Sequence, residues 1–263
     1  MEALQTAGAI PHAAPESAPP PLTAREVALL NGQFEHQKPE EMLAWSWKRF
    51  GRQAAIGTSF QGSGLVIMHL AKMAGLNLPV FTLDTGLLFP ETLDLRKRLE
   101  DFFGWEIESI VPDLTLEQQA DALGPELWTR DPDLCCTTRK VLPLQSKLRE
   151  LDCWITGLRR HQSRSRAAIG LIELYALDAQ AGSDIVKLNP MANWPREAIW
   201  RYIRQNKIPF NPLHDLGYAS IGCMTCTHKT ARGEDERAGR WIGFKKVECG
   251  IHTFMSRKID FQI

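Results

Sequence analysis

The residues best equipped for chemistry in this chain are its cysteines. Cys249 stands beside Glu248 and three positions before His252, while Cys135 pairs with Cys136 and Cys223 with Cys226 across Met-Thr. Four thiolates in two clusters, 87 positions apart, suit tetrahedral zinc or an iron–sulfur cluster. Adjacent cysteines are awkward ligands for one zinc ion, because neighbouring helical side chains diverge by about 100°. A cubane, with its corners well separated, tolerates them better. Cys153, in the strand-like Cys-Trp-Ile-Thr, reads as a small core residue. Spacing alone leaves Cys249 without a role.

Positive charge gathers at three places: Arg139 with Lys140; Arg159, Arg160, Arg164 and Arg166; and Arg232, Arg237 and Arg240 before Cys249. Charge runs are usually solvated faces. Three of them at expected sheet ends or beside cysteines also suit a substrate carrying several negative oxygens.

Such groups need a scaffold, and the pattern supplies one. Residues 54–58, 80–83, 106–111, 153–156 and 185–188 read as buried strands, and 39–50, 65–74, 90–103 and 194–205 as helices. This alternation predicts a mostly parallel α/β sheet flanked by helices, in the Rossmann-like manner. The turn Thr-Ser-Phe-Gln-Gly-Ser-Gly at 58–64 runs straight into a helix, where backbone N–H groups and a positive helix end can meet an anion or a nucleotide. It has neither the P-loop lysine nor the dinucleotide glycine spacing, and reads equally as an ordinary connection. Leu83-Asp-Thr-Gly86 forms a second polar turn on the same sheet edge, where open α/β sheets bind ligands.

Composition narrows the classes. A chain of 263 residues with 44% hydrophobic content can close one sizeable core. Thirty-one basic residues balance 31 acidic ones, so charge gives no general attraction to nucleic acid or membrane. No apolar run approaches the roughly 18 residues of a membrane span. Residues 1–22, with five prolines and no Lys or Arg, read as a disordered tail rather than a targeting segment. Order is expected from Thr23, where Thr23 and Glu26 have capping-box spacing. A reducing cytoplasm is the expected compartment, and there close cysteine pairs serve as metal or redox groups. Three regions are expected: the tail, an α/β domain over 23–230, and a mobile C-terminal segment over 231–263.

Together, CCxxRK (135–140), TGxRRxQS (156–163), SIGCxxCT (220–227), GEDERxGRW (233–241) and ECGxH (248–252) resemble the assimilatory sulfonucleotide reductases. The iron–sulfur branch, acting on adenosine 5'-phosphosulfate, is most similar, since the cluster-free branch keeps ECGxH but lacks both cysteine pairs. The resemblance implies an adenine-nucleotide α-hydrolase-like fold, one 4Fe-4S cluster on Cys135, Cys136, Cys223 and Cys226, and thioredoxin or glutaredoxin as reductant. It makes Cys249 the nucleophile that takes up the sulfonate, with Arg237, Arg240, Lys246 and His252 as nearby cations. Lys140, Arg166, Arg237, Arg240 and backbone near Gly157 would bind the phosphosulfate. Ser59, Phe60, Gly62 and Ser63, together with Leu83 and Gly86, would hold adenine and ribose, with His252 as a further contact.

The alternatives are a reductase for the 3'-phosphorylated nucleotide or for both forms, a cluster-bearing tRNA-thiolation enzyme, and a redox regulator. The thiolation enzymes usually carry SGGxDS at the first turn, which TSFQGSG lacks. A regulator would need neither Cys249 nor a phosphosulfate pocket. The sequence leaves self-association open.

Overall fold

The computed structural model describes residues 19–178, 183–231 and 233–252. The chain starts helically where the capping box predicts: Thr23 Oγ1 accepts from Glu26 N at 3.3 Å, and the Glu26 carboxylate accepts from Thr23 N at 2.7 Å. Helices α1 (Ala24–Phe34) and α2 (Pro39–Phe50) precede the first strand, β1 (Ala54–Gly57). Then come α3 (Gly62–Met73), β2 (Val80–Leu83), α4 (Pro90–Phe103) and β3 (Ile107–Ile110). Gly104, at φ 62°, stops α4 in the left-handed conformation that glycine adopts without a Cβ clash.

A run of short helices follows: α5 (Leu116–Leu123), α6 (Leu127–Arg130), α7 (Pro132–Cys136), a π turn over Thr137–Val141, and α8 (Leu142–Leu148). The chain re-enters the sheet with β4 (Cys153–Ile155), the hairpin β5 (Ile172–Asp178) and β6 (Ser183–Leu188), and then forms α9 (Arg196–Gln205).

The six strands lie in the order β3-β2-β1-β4-β6-β5, parallel except for β5, which runs antiparallel to β6. Alternate residues feed two cores. Ala54, Ile56, Val80, Ile107, Cys153 and Ile155 pack against α1 to α4 and α9, while Ala55, Phe81, Trp154, Tyr175 and Ile185 pack against α8. Cys153 is fully buried, and burial raises its thiol far above the ordinary range, as expected of a core residue.

Five strands and four helices fall where the sequence places them, to within three residues. Helix α3 begins at Gly62 rather than 65, and α9 at Arg196 rather than 194 because Pro195 is its N-cap. Strand β5 was not expected: Leu, Glu and Ala dominate it, and pairing with β6 overrides their weak strand preference. The tail expectation for residues 1–18, Arg232, and the end of the C-terminal segment lie outside the described residues. Among the described residues, no helix is long and apolar enough to cross a membrane.

Candidate active site

Strand order reverses between β1 and β4, so the helices after them diverge and leave a crevice at their carboxyl ends. A cavity of about 180 Å³ lies there. Its floor is Gly57, Phe81, Leu83 and Trp154. A Cβ on Gly57 would stand 2.3 Å from Trp154 Nε1 and 2.8 Å from Phe81, so only glycine lets the indole lie across the strand. Gly157 plays the same part at the end of β4, where a Cβ would come within 3.0 Å of the Gly64 nitrogen in α3. The turn between β1 and α3 holds Phe60 at φ 57°, with its N–H donated to Thr58 Oγ1 at 3.0 Å.

Nine of the expected substrate-site and nucleophile positions line this cavity: Ser59, Leu83, Lys140, Gly157, Arg166, Arg237, Arg240, Cys249 and His252. Phe60, Gly62, Ser63 and Gly86 are not among its lining residues. Phe60 turns into the core, and Gly62 packs against Ile199 of α9. The Ser63 hydroxyl accepts from Arg159 Nε at 3.1 Å, while Gly86, at φ 70°, shapes the turn against Arg139.

The three charge runs separate by partner. Arg139 is buried and spends its guanidinium on the Thr85 and Leu114 carbonyls and on Gln119, tying the β2 turn to the segment that carries Cys135 and Cys136. Arg160 pairs with Glu35 at 2.6 Å near the surface, and Arg164 is exposed. Arg159 spans Ser63 and the Glu236 carboxylate, at 3.0 and 2.9 Å. Lys140, Arg166, Arg237 and Arg240 reach the cavity. Burial alone would lower the Lys140 ammonium, but its neighbouring thiols, Cys223 first and then Cys136 and Cys249, offset this when ionised and hold Lys140 above the ordinary amine range. Arg240 donates from Nε to the Cys226 carbonyl at 3.1 Å, which joins the cationic end of the cavity to the cysteine loop.

Cys135, Cys136, Cys223 and Cys226 are free and buried, and the first two thiols are pushed up to about 12 and about 11. Burial is the main cause at both; repulsion from the other ionised thiols adds to it, and Lys140 works against it. Burial opposes ionisation of Cys223 as well, but Lys140 and a 3.2 Å contact with Thr85 Oγ1 bring that thiol down. Four buried thiols, two of which resist ionisation, fit a metal centre, whose cations deprotonate coordinating thiols outright. Among the described residues no three ligand-type side chains converge on a single-ion point.

Cys249 is half-buried and packs with Cys136, Cys226 and Trp241. The Glu248 carboxylate before it is held by Arg166 at 2.9 and 2.7 Å and by Arg237 at 3.2 Å. Burial would raise Glu248, but the Arg166 hydrogen bonds and both arginine charges keep it below the usual carboxylate range. His252 was expected as a cation and is not one. It stacks on Trp154 at 5.2 Å between ring centroids, and burial, with Lys187, Arg166 and Arg237 around it, holds the ring well below its ordinary value of 6.5, hence neutral. Lys246 pairs with Asp133 and lies over the Trp241 ring at 5.4 Å, beside the cysteines.

Sequence reasoning missed Trp154, Gln162 and Glu248 as parts of the site. Trp154 read only as a strand residue. Glu248 stood in view beside Cys249, but its partner Arg166 lies 82 positions back.

Residues 53–229 match the phosphoadenosine phosphosulfate reductase domain family. Adenosine 5'-phosphosulfate reductase of Salinibacter ruber is 41% identical, over 89% of this chain and 91% of its own. Adenosine 5'-phosphosulfate reductase 2 of Bacillus subtilis is 37% identical, over 85% and 94%. Among solved structures, the phosphoadenylyl-sulfate reductase of Candida auris in a phosphate complex superimposes with a TM-score of 0.69 at 29% identity, over 79% of this chain and 98% of that one. The FMN adenylyltransferase of Candida glabrata, 13% identical with a TM-score of 0.53 over 79% and 68%, shares the fold alone. With a match across the sheet and both cysteine pairs, and relatives aligned over most of their length, the chain belongs to the sulfonucleotide reductase family.

Proposed function

We propose that the chain reduces adenosine 5'-phosphosulfate to sulfite and AMP, as the names of its relatives suggest, with a thioredoxin-type dithiol as electron donor. One observation carries the reading: Cys249 faces the same cavity as Lys140, Arg166, Arg237 and Arg240. A thiol nucleophile set among four cations fits attack on an anionic sulfur centre.

The Cys249 thiolate attacks the sulfate sulfur, a new S–S bond forms, and the bond from sulfur to the bridging oxygen breaks. Its electron pair leaves with AMP, and the sulfonate stays on Cys249. The dithiol then attacks Cys249 Sγ and expels sulfite, and its second thiol closes the donor's own disulfide, regenerating Cys249. Two electrons pass from dithiol to sulfur. Lys140 and Arg240 hold the sulfonate oxygens, and the stacked pair Trp154 and His252 closes the cavity's apolar side. Trp154 Nε1 and His252 Nδ1 are buried without hydrogen-bond partners, so they are polar atoms a bound nucleotide can satisfy.

Cys135, Cys136, Cys223 and Cys226 would hold one 4Fe-4S cluster, supplying a fixed negative group next to Lys140. The described residues 233–252 belong to the expected C-terminal segment, and they bring Cys249 to the cavity. The test is purified protein with thioredoxin and either sulfonucleotide. Sulfite formed preferentially from the 5'-phosphosulfate supports the reading; higher kcat/KM for the 3'-phosphorylated form overturns the substrate assignment, and no sulfite from either overturns the reaction.

A further inference from the structure

Segment 247–252 is pinned on both sides of Cys249. Before it, Arg166 grips the Glu248 carboxylate through Nε at 2.9 Å and Nη2 at 2.7 Å, Ser165 Oγ donates to the same group at 3.1 Å, and Arg237 Nη2 stands 3.2 Å from it. Arg237 also donates to the Val247 carbonyl, at 3.2 Å from Nε and 3.1 Å from Nη2. After it, Tyr175 Oη donates to the Ile251 carbonyl at 3.1 Å and His252 lies on Trp154. The three charged side chains of the clamp are only 10%, 10% and 15% exposed.

We propose that Glu248 is a positioning residue that seats the nucleophile: its carboxylate, clamped by Arg166 and Arg237, fixes the segment across the cavity so that Cys249 faces the bound sulfur. The inference rests on Cys249 being the nucleophile. A carboxylate on two cavity arginines can also be pictured as a stand-in that the substrate's anion displaces. Displacement would unseat Cys249 as its target arrived, whereas attack needs thiol and sulfur held together. The donors allow both to bind at once. Arg166 uses Nε, Nη2 and, to Gln162, Nη1, each Nη keeping a second N–H, and among the described residues Lys140 and Arg240 form no ion pair with a carboxylate. Glu248 therefore spends part of two guanidiniums on placing the thiol and leaves the cavity positively charged.

Glu248→Gln keeps the shape and removes the charge. In single turnover without reductant, AMP release is expected to slow about 10²-fold, the cost of misplacing a reacting atom by roughly 1 Å. Affinity for adenosine 5'-phosphosulfate, measured in a Cys249→Ser background, should stay within about threefold or tighten. Iodoacetamide labelling of Cys249 in the nucleotide-free protein, read by peptide mass, should be at least about fivefold faster than in wild type because the segment is released. Glu248→Asp should recover part of the AMP-release rate.

Wild-type AMP release in Glu248→Gln, a loss traced wholly to weaker nucleotide binding, or unchanged labelling would overturn the clamp. A wild-type protein that forms no adduct would overturn the nucleophile reading instead, while the labelling comparison still decides the seat. If Glu248→Gln does not fold, Arg166→Gln breaks the same pair from the other side and must show the same faster labelling.

Discussion

The two ends of the cavity are built differently. The floor of Gly57, Phe81, Leu83 and Trp154 comes from consecutive strands of a regular sheet and is mostly apolar. The opposite end comes from a π turn, the loop after β4, the cysteine loop and the C-terminal segment, and it carries the cations and five of the six free thiols, with Cys136, Lys140 and Cys223 shifted from their ordinary values. The first is fixed by backbone hydrogen bonds, so one strand's glycine can be shaped to its neighbour's indole. The second is fixed by side chains reaching across long sequence separations, so each link is a single point of failure. π turns are rare and often mark functional sites, and this one places Lys140 next to the cysteine pair.

Arg159 joins the two ends, from Ser63 at the start of α3 to Glu236 in the C-terminal segment. Its side chain is 5% exposed, so Arg159→Ala strands a carboxylate and should cost about 3–5 kcal/mol in chemical denaturation. The neighbouring Arg160→Ala, at a pair open to solvent, should cost only about 0–1 kcal/mol. Equal losses would mean that Arg159 is not a strut. Within the cationic end, Arg240→Ala should lower kcat/KM by about 10²–10³ and also cost about 1–3 kcal/mol, because the buried Cys226 carbonyl loses a donor; a loss confined to stability would reassign Arg240 to holding the cysteine loop.

At the sheet end the effects should be smaller and structural. Gly57→Ala should cost about 1–3 kcal/mol in thermal denaturation, because Trp154 and Phe81 must shift. If the variant is as stable as wild type, the indole has room to move and the floor is less rigid than its contacts imply. His252 adds a pH dependence. Its folded value lies below its unfolded one, so the unfolded chain binds the extra proton and stability falls as pH drops below about 6.5. One proton contributes at most about 1.4 kcal/mol per pH unit there, and His252→Asn should flatten that slope. An unchanged slope would mean that His252 is protonated in the folded chain.

The same division explains what the sequence disclosed. The parallel strands were legible because buried strands and helices leave periodic apolar signatures, and the cysteine pairs because few roles suit such spacing. Strand β5 was not, since its residues favour helix and only pairing with β6 makes it a strand. Arg139 and Lys140 look alike as neighbours in a basic pair, yet one is consumed by carbonyls and the other faces the cavity. The charge of His252 depends on burial against Trp154, and the part played by Glu248 on an arginine from a distant loop; neither is written in a local pattern.

The most direct test concerns Cys249, where thiol, cations and cysteine loop meet. Wild-type protein mixed with adenosine 5'-phosphosulfate and no reductant should gain about 80 Da, the mass of one SO₃ group, on the peptide containing Cys249, and release one equivalent of AMP. Cys249→Ser should bind the nucleotide and gain nothing. An adduct on Cys153, or turnover by Cys249→Ser near the wild-type rate, would contradict the assignment of Cys249 as the nucleophile.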